Sequence, residues 1–134
     1  QMNFCDGELK KAGEGYVLRC CGAEIALSDE AQSRLRAADR AEGPVTAGVR
    51  PEHLTLRRDY APDVISAAIT VSEMMGSEIH FHADVCGKDV VLRIPTTGLS
   101  PEDRAPMIYG SGISFSFPPA LIQLFDPATE LSLL

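Results

Sequence analysis

The chain has 134 residues, 45% of them hydrophobic, with no tryptophan and a formal net charge of −7. That length suits one compact domain or two small interlocked ones with a real buried core, and the composition is that of a folded protein rather than a disordered tail. With no basic cluster longer than Arg57-Arg58, the chain lacks the patch that displaces phosphate counterions from nucleic acid, and no apolar run approaches the roughly 18 residues of a membrane span.

Gln1-Met2-Asn3-Phe4 begins in mid-pattern, without the start of any element, so the chain reads as a piece of something longer. Residues 16–20 and 23–27 have β-type patterns on either side of Cys21-Gly22 and predict a hairpin. Ser28 is placed to cap a helix, Asp29 and Glu30 suit the positive end of its dipole, and Ala31, Leu35 and Ala38 share a face. Gly43-Pro44 is expected to stop that helix, and Pro51 to end a strand over 45–50. Residues 64–74, 78–85 and 88–94 predict three further strands, the last two joined by a tight turn at Cys86-Gly87-Lys88. Residues 113–117, 120–125 and 131–134 close the chain. The polar connection near 58–63 divides it into lobes of residues 1–59 and 60–134. Many short strands about ten residues apart, with one short helix, predict an all-β barrel or sandwich.

The four cysteines are Cys5, Cys20, Cys21 and Cys86. No pair has the C-x-x-C spacing of a zinc knuckle or redox motif. As strand neighbours, Cys20 and Cys21 are expected to point to opposite faces, and free thiols in a reducing cytosol are the simplest reading.

Catalytic motifs are sparse. A nucleotide site needs a Gly-rich loop ending in Gly-Lys-Ser/Thr, and none is present. Gly110-Ser111-Gly112 reads as a hairpin turn, and Glu102-Asp103 after Pro101 as a solvated loop. There is no Gly-x-Ser-x-Gly nucleophile elbow.

The stretch from Ser77 to Cys86, SEIHFHADVC, is the most heavily armed. On a strand, Ile79, Phe81, Ala83 and Val85 face one way, and Glu78, His80, His82, Asp84 and Cys86 the other. His80 and His82 would lie about 6.5–7 Å apart, close enough to share a zinc or nickel ion, whereas Glu78 and Cys86 would be about 26 Å apart. A third ligand would have to come from elsewhere, and the only other histidine is His53. A half-buried strand with a solvated or partner-facing polar side is the favoured reading. Arg50-Pro51-Glu52-His53 reads as a structural turn in which Glu52 pairs with an arginine or hydrogen-bonds the turn.

Met2-Asn3-Phe4 with Gly7, then Gly48-Val49-Arg50-Pro51-Glu52-His53-Leu54, then Glu73-Met74-Met75-Gly76-Ser77-Glu78, and finally Leu124-Phe125-Asp126-Pro127 stand in order along the chain. Together they resemble the C-terminal regulatory domain of maltose-type ABC importer ATPase subunits, often called the TOBE or OB-like domain. The resemblance implies an all-β module of OB-like barrels that follows a nucleotide-binding domain missing from this chain. ATP and magnesium would belong to that domain, leaving this chain without a cofactor or an enzymatic activity. It also implies a homodimer at the cytoplasmic face of the membrane, permease subunits reached through the ATPase domain, in some members a regulatory protein, and no nucleic acid. Imported solutes across the family include sugars, polyols and glycerol phosphate.

Carried onto this sequence, the resemblance makes Arg50, Pro51, Glu52 and His53 a turn motif, and Gly76, Ser77 and Glu78 the loop before the polar strand. His82 is an expected strand histidine, and Phe125, Asp126 and Pro127 form the closing phrase. His80 and the Cys20-Cys21 pair depart from the family pattern. Two other functions compete: a small-ligand module binding oxyanions or sugars, with Thr96-Thr97-Gly98 as a candidate nest, and a metal-binding protein using His80 and His82.

Overall fold

In the computed structural model, which describes residues 1–99 and 112–134, strands carry the fold. In chain order these are β1 (Asn3–Ala12), β2 (Gly15–Cys20), β3 (Ala23–Ala26), β4 (Gly43–Val49), β5 (Thr55–Leu56), β6 (Ile65–Met74), β7 (Glu78–Val85), β8 (Lys88–Pro95), β9 (Gly112–Ser116) and β10 (Gln123–Phe125), with one helix, α1 (Asp29–Ala37). They form two antiparallel five-stranded sheets, ordered β10-β4-β1-β2-β3 and β5-β9-β6-β7-β8. The all-β, OB-like architecture, with a single short α-helix among the described residues, matches the expectation from the sequence.

Alternation of buried and exposed side chains explains most strands. In β7, Ile79, Phe81, Ala83 and Val85 are buried while their neighbours face outward. Phe81, Phe115, Leu92 and Ile69 fill the second sheet's core, and Leu9, Leu18, Ile25 and Leu35 the first. Each such side chain contributes about 1.5–3 kcal/mol on burial.

Both hairpin turns expected at Cys-Gly pairs are present. Cys21 (φ 50°) with Gly22 (φ 79°), and Cys86 (φ 51°) with Gly87 (φ 83°), each hold two consecutive residues at positive φ, the requirement of a type I′ turn. Glycine meets it freely, but a cysteine in the left-handed region costs about 1–2 kcal/mol.

The helix begins as expected, with Ser28 Oγ accepting from Ala31 N at 3.2 Å and Ala31 and Leu35 buried. It ends earlier than expected. Asp39 sits at φ 49°, its N–H donates to Arg36 O at 3.0 Å, and Arg40 N–H donates to Leu35 O at 3.1 Å. That crossed pair of bonds is a Schellman cap with aspartate in the usual glycine position. Ala38 is therefore an exposed cap residue rather than part of the buried face, and Gly43-Pro44 opens β4 instead of stopping the helix.

Three further departures concern the ends. The N-terminal phrase opens a ten-residue strand, β1, whose charged residues Asp6, Glu8, Lys10 and Lys11 dilute its apolar alternation. Residues 120–125 split into a 3-10 turn, Pro119–Leu121, and the short β10; residues 131–134 contribute only a bridge between Ser132 and Phe125. Glu102-Asp103 and Gly110-Ser111 lie outside the described residues, while Gly112 begins β9. In the polar connection, Arg57 holds Asp59 (2.6 Å) and Asp63 (2.9 Å), which closes that loop on itself.

The chain crosses between sheets twice, passing from β4 into the second sheet at β5 and returning to β4 with β10. Contact between the sheets is specific. Asn3 Nδ2 donates to Val91 O at 2.8 Å and Val91 N–H donates to Asn3 Oδ1 at 2.9 Å, so one buried side chain of β1 pairs with the free edge of β8. No helix among the described residues is long and apolar enough to cross a membrane.

Candidate functional site

The polar face of β7 and the phrases around it form one continuous charged surface. The β7–β8 register sets it: the two-residue turn pairs Val85 with Lys88, and counting back puts Arg93 opposite His80. Arg93 Nη2 then reaches Glu78 Oε1 at 2.9 Å, and Nη1 lies 4.0 Å from Glu52 Oε1. His80 Nε2 lies 3.0 Å from the same Glu78 oxygen. His80 first and Arg93 second hold the Glu78 carboxyl below the usual carboxylate range.

This geometry brings together two phrases that the sequence separates. Arg50-Pro51-Glu52-His53 forms a 3-10 turn with Pro51 at its start and His53 N–H donating to Arg50 O at 2.9 Å. Both roles expected of Glu52 occur. A hydrogen bond from its own backbone N–H is the main cause that lowers its carboxyl's pKa, and Arg93 adds to it. Gly76 (φ 77°) makes the β6–β7 loop possible, and Met75 N–H closes it on Glu78 O at 2.8 Å. The Ser77 carbonyl accepts from both Thr96 N (2.9 Å) and Thr96 Oγ1 (3.1 Å). Arg93, the residue that joins the two phrases, was not singled out from sequence.

His82 sits apart from His80. Its Nδ1 lies 3.0 Å from Asp89 Oδ2 and its Nε2 3.1 Å from Glu73 Oε1. Asp89 chiefly, and Glu73 with it, raise the imidazole's pKa above its ordinary value. A bulge in β6 between Ile69 and Val71 lies opposite, where Thr70 Oγ1 donates to His82 O at 3.1 Å. Among the described residues, the one set of three or more donor side chains close enough to share an ion is Cys5, Cys20 and Cys21. The histidine-based metal site therefore gains no third ligand, from His53 or elsewhere: carboxylates occupy the imidazoles instead. At Thr96-Thr97-Gly98, the Thr96 donors are directed at Ser77 rather than at an anion.

The closing phrase meets the opening one. Phe125 packs edge-to-face on Phe4 with centroids 6.1 Å apart. Asp126 Oδ1 accepts from Ala128 N (2.8 Å) and Thr129 N (3.0 Å), bonds that hold its carboxyl low and reverse the chain after β10; Pro127 sits inside that turn.

The cysteines correct a sequence expectation. Cys21 lies in the turn rather than on the strand, so its Sγ comes within 3.9 Å of Cys20 Sγ instead of pointing to the opposite face.

Comparison with known proteins agrees with this arrangement. Residues 1–54 match the MalK OB fold domain and residues 47–125 the TOBE domain. The ABC transporter ATP-binding protein YcjV of Escherichia coli strain K12 is 27% identical over 98% of this chain, as is its counterpart in strain 536. The chain spans 33% of the length of these relatives. Among solved structures, the cytoplasmic molybdate-binding protein ModG, in a form with molybdate bound, superposes with a TM-score of 0.64 over 93% of this chain and 96% of that one, at 15% identity, a likeness of fold. With the TOBE model matching more than half of its residues, the chain belongs to the TOBE domain family.

Proposed function

We propose that this chain is the non-catalytic regulatory and dimerisation domain of the ATP-binding subunit of an ABC importer for sugars or related solutes. Its residues 1–59 and 60–134 contribute mainly to one sheet each. The observation that carries the reading is the tandem match of a MalK OB fold and a TOBE domain over residues 1–125, in a chain that corresponds to about a third of its ABC transporter ATP-binding relatives. The rest of such a subunit would hold ATP and magnesium and engage the permeases, at the cytoplasmic face of the membrane.

The surface supports contact with a partner, whether a second copy or a regulatory protein. Val71, Met74 and Met75 are exposed; Val71 stands opposite His82 and Met75 opposite Glu78, whereas Met74 pairs with Ile79 and so belongs to the other face of the sheet. Apolar side chains set among charged ones are common where proteins meet. The test uses the full-length subunit and a version lacking this chain, compared by sedimentation and by ATP hydrolysis. The reading expects both to hydrolyse ATP and the shortened form to dimerise more weakly. ATP hydrolysis by this chain alone, or a parent gene without an upstream Walker motif, overturns it.

A second reading, an oxyanion-binding module, rests on the likeness to ModG over most of both chains. A thermal-shift series with molybdate, tungstate, sulfate, phosphate and sugars tests it, and no shift with any of them ends it.

A further inference from the structure

All four cysteines gather at the seam between the sheets, although they come from three separate segments. Cys5 lies on β1, Cys20 ends β2, and Cys21 and Cys86 occupy the first positions of the two type I′ turns. The Sγ atoms of Cys5, Cys20 and Cys21 all lie within 4.8 Å of one another. Cys86, exposed on the β7–β8 turn, is near enough to Cys21 to raise its thiol pKa, after burial. Next to this group, Lys88 reaches across to Asp6 at 3.4 Å, which holds the β7–β8 turn against β1.

Metal–thiolate bonds of about 2.3 Å place ligand sulfurs about 3.8–4.0 Å apart around a shared ion. Cys20 and Cys21 already stand at 3.9 Å. All four are free thiols, and the set contains no carboxylate, so its chemistry favours soft cations over magnesium or calcium. We propose that Cys5, Cys20 and Cys21 form a binding site for one soft thiophilic cation, Zn²⁺ or Cu⁺, with Cys86 on the β7–β8 turn next to it as a fourth ligand where the coordination is tetrahedral.

Packing alone accounts for only half of the group. Cys5 and Cys20 are 2% exposed and fill space as small apolar side chains do. Cys86 is exposed at its hairpin tip and Cys21 is half-buried against the core, both in left-handed positions where Asn or Gly would fit without strain. Of the three clustered thiols, Cys5 alone is shifted towards the thiolate that a metal binds. Neighbouring Cys20 and, after it, Lys88 lower the Cys5 pKa; Cys5 in turn raises that of Cys20, whose thiol donates to Asp6 O at 3.5 Å, and burial pushes Cys21 up to about 12. A cation would take the place of the thiol protons, each ligating thiol releasing its proton to solvent, so affinity rises with pH and falls as the solution is acidified. An open groove of about 570 Å³ beside Gly7, Arg19, Cys20 and Cys21 gives an ion its way in.

The test titrates the reduced chain with Co²⁺, as a spectroscopic stand-in for zinc, and with Cu⁺ against a chromophoric chelator. Wild type should bind one equivalent of at least one of them, with thiolate-to-cobalt charge-transfer bands where cobalt is taken up. Cys21→Asn and Cys86→Asn supply the residue a type I′ turn prefers, so their metal-free melting temperatures should match or exceed wild type. Cys21→Asn should nevertheless weaken binding by more than the roughly 10–100-fold typical of outer-shell changes. A similar loss in Cys86→Asn assigns a four-sulfur tetrahedral site; Cu⁺ binding kept in Cys86→Asn but lost in Cys21→Asn assigns a three-sulfur one. Absence of both cobalt bands and Cu⁺ competition in the folded, reduced wild type overturns the proposal. So does undiminished binding by Cys21→Asn, or a thiol titration that finds a disulfide in place of metal.

Discussion

Asn3 and Val91, 88 positions apart, exchange two hydrogen bonds through a single side chain and thereby join the two sheets. The Asn3 amide gives the outer edge of β8 the partners that a neighbouring strand would otherwise supply, at a position where Asn3 is itself buried. Asn3→Ala leaves the N–H and C=O of Val91 facing an apolar gap. Each unsatisfied group costs about 1–3 kcal/mol, so the variant should lose roughly 2–6 kcal/mol. Urea unfolding should show a lower midpoint with an unchanged slope.

Gly7 pairs with Cys20 across β1 and β2. A Cβ at this position would lie 2.9 Å from the Arg19 carbonyl oxygen and 3.1 Å from a Leu18 methyl, and the first of these is backbone that cannot step aside. Gly7→Ala should therefore destabilise the chain by about 1–3 kcal/mol despite its better strand propensity. Thermal unfolding checks this, and a neutral result would mean that the two strands part at little cost.

Arg93 makes unequal contacts with its two carboxylates. The 2.9 Å contact to Glu78 and the 4.0 Å contact to Glu52 are both on partly exposed side chains. A double-mutant cycle on Glu78 and Arg93 should return a small favourable coupling, and one on Glu52 and Arg93 a smaller one still. High salt should shrink both. A larger Glu52 coupling would mark that turn as held by charge rather than by its own backbone bonds.

The raised pKa of His82 carries a definite pH signature. Because the folded chain holds the proton more tightly than the unfolded chain, the stabilisation is full below the ordinary histidine value of about 6.5 and is lost as pH rises through the folded pKa. His82→Gln should therefore flatten the part of the stability–pH curve that falls above that value. An NMR titration should find the His82 ring titrating above an ordinary histidine, and Asp89→Asn should bring it down.

What was legible in the sequence was local. Both Cys-Gly turns, the cap at Ser28 and the alternation of β7 depend on residues within a few positions of one another, and each occurs where expected. Arg93 could have been found the same way, since a two-residue turn at Cys86-Gly87 fixes the register that places it opposite His80. β1 escaped notice because charge and Gly7 masked its pattern, and the early helix stop because aspartate stands where glycine is usual. The thiol cluster was not legible at all. Cys5 reaches Cys20 and Cys21 through the pairing of β1 with β2, and Cys86 joins them through the way one sheet sits against the other, neither of which a periodicity encodes.

The return of β10 to β4 has a consequence for how the chain is made. β4 pairs with β1 on one side and with β10 on the other, so the whole second sheet is, in topological terms, an insertion within the first. No single cut of the chain can release two intact sheets. During synthesis the first sheet must wait with one edge open until the second has been made, and it gains its last strand only when residues 123–125 appear.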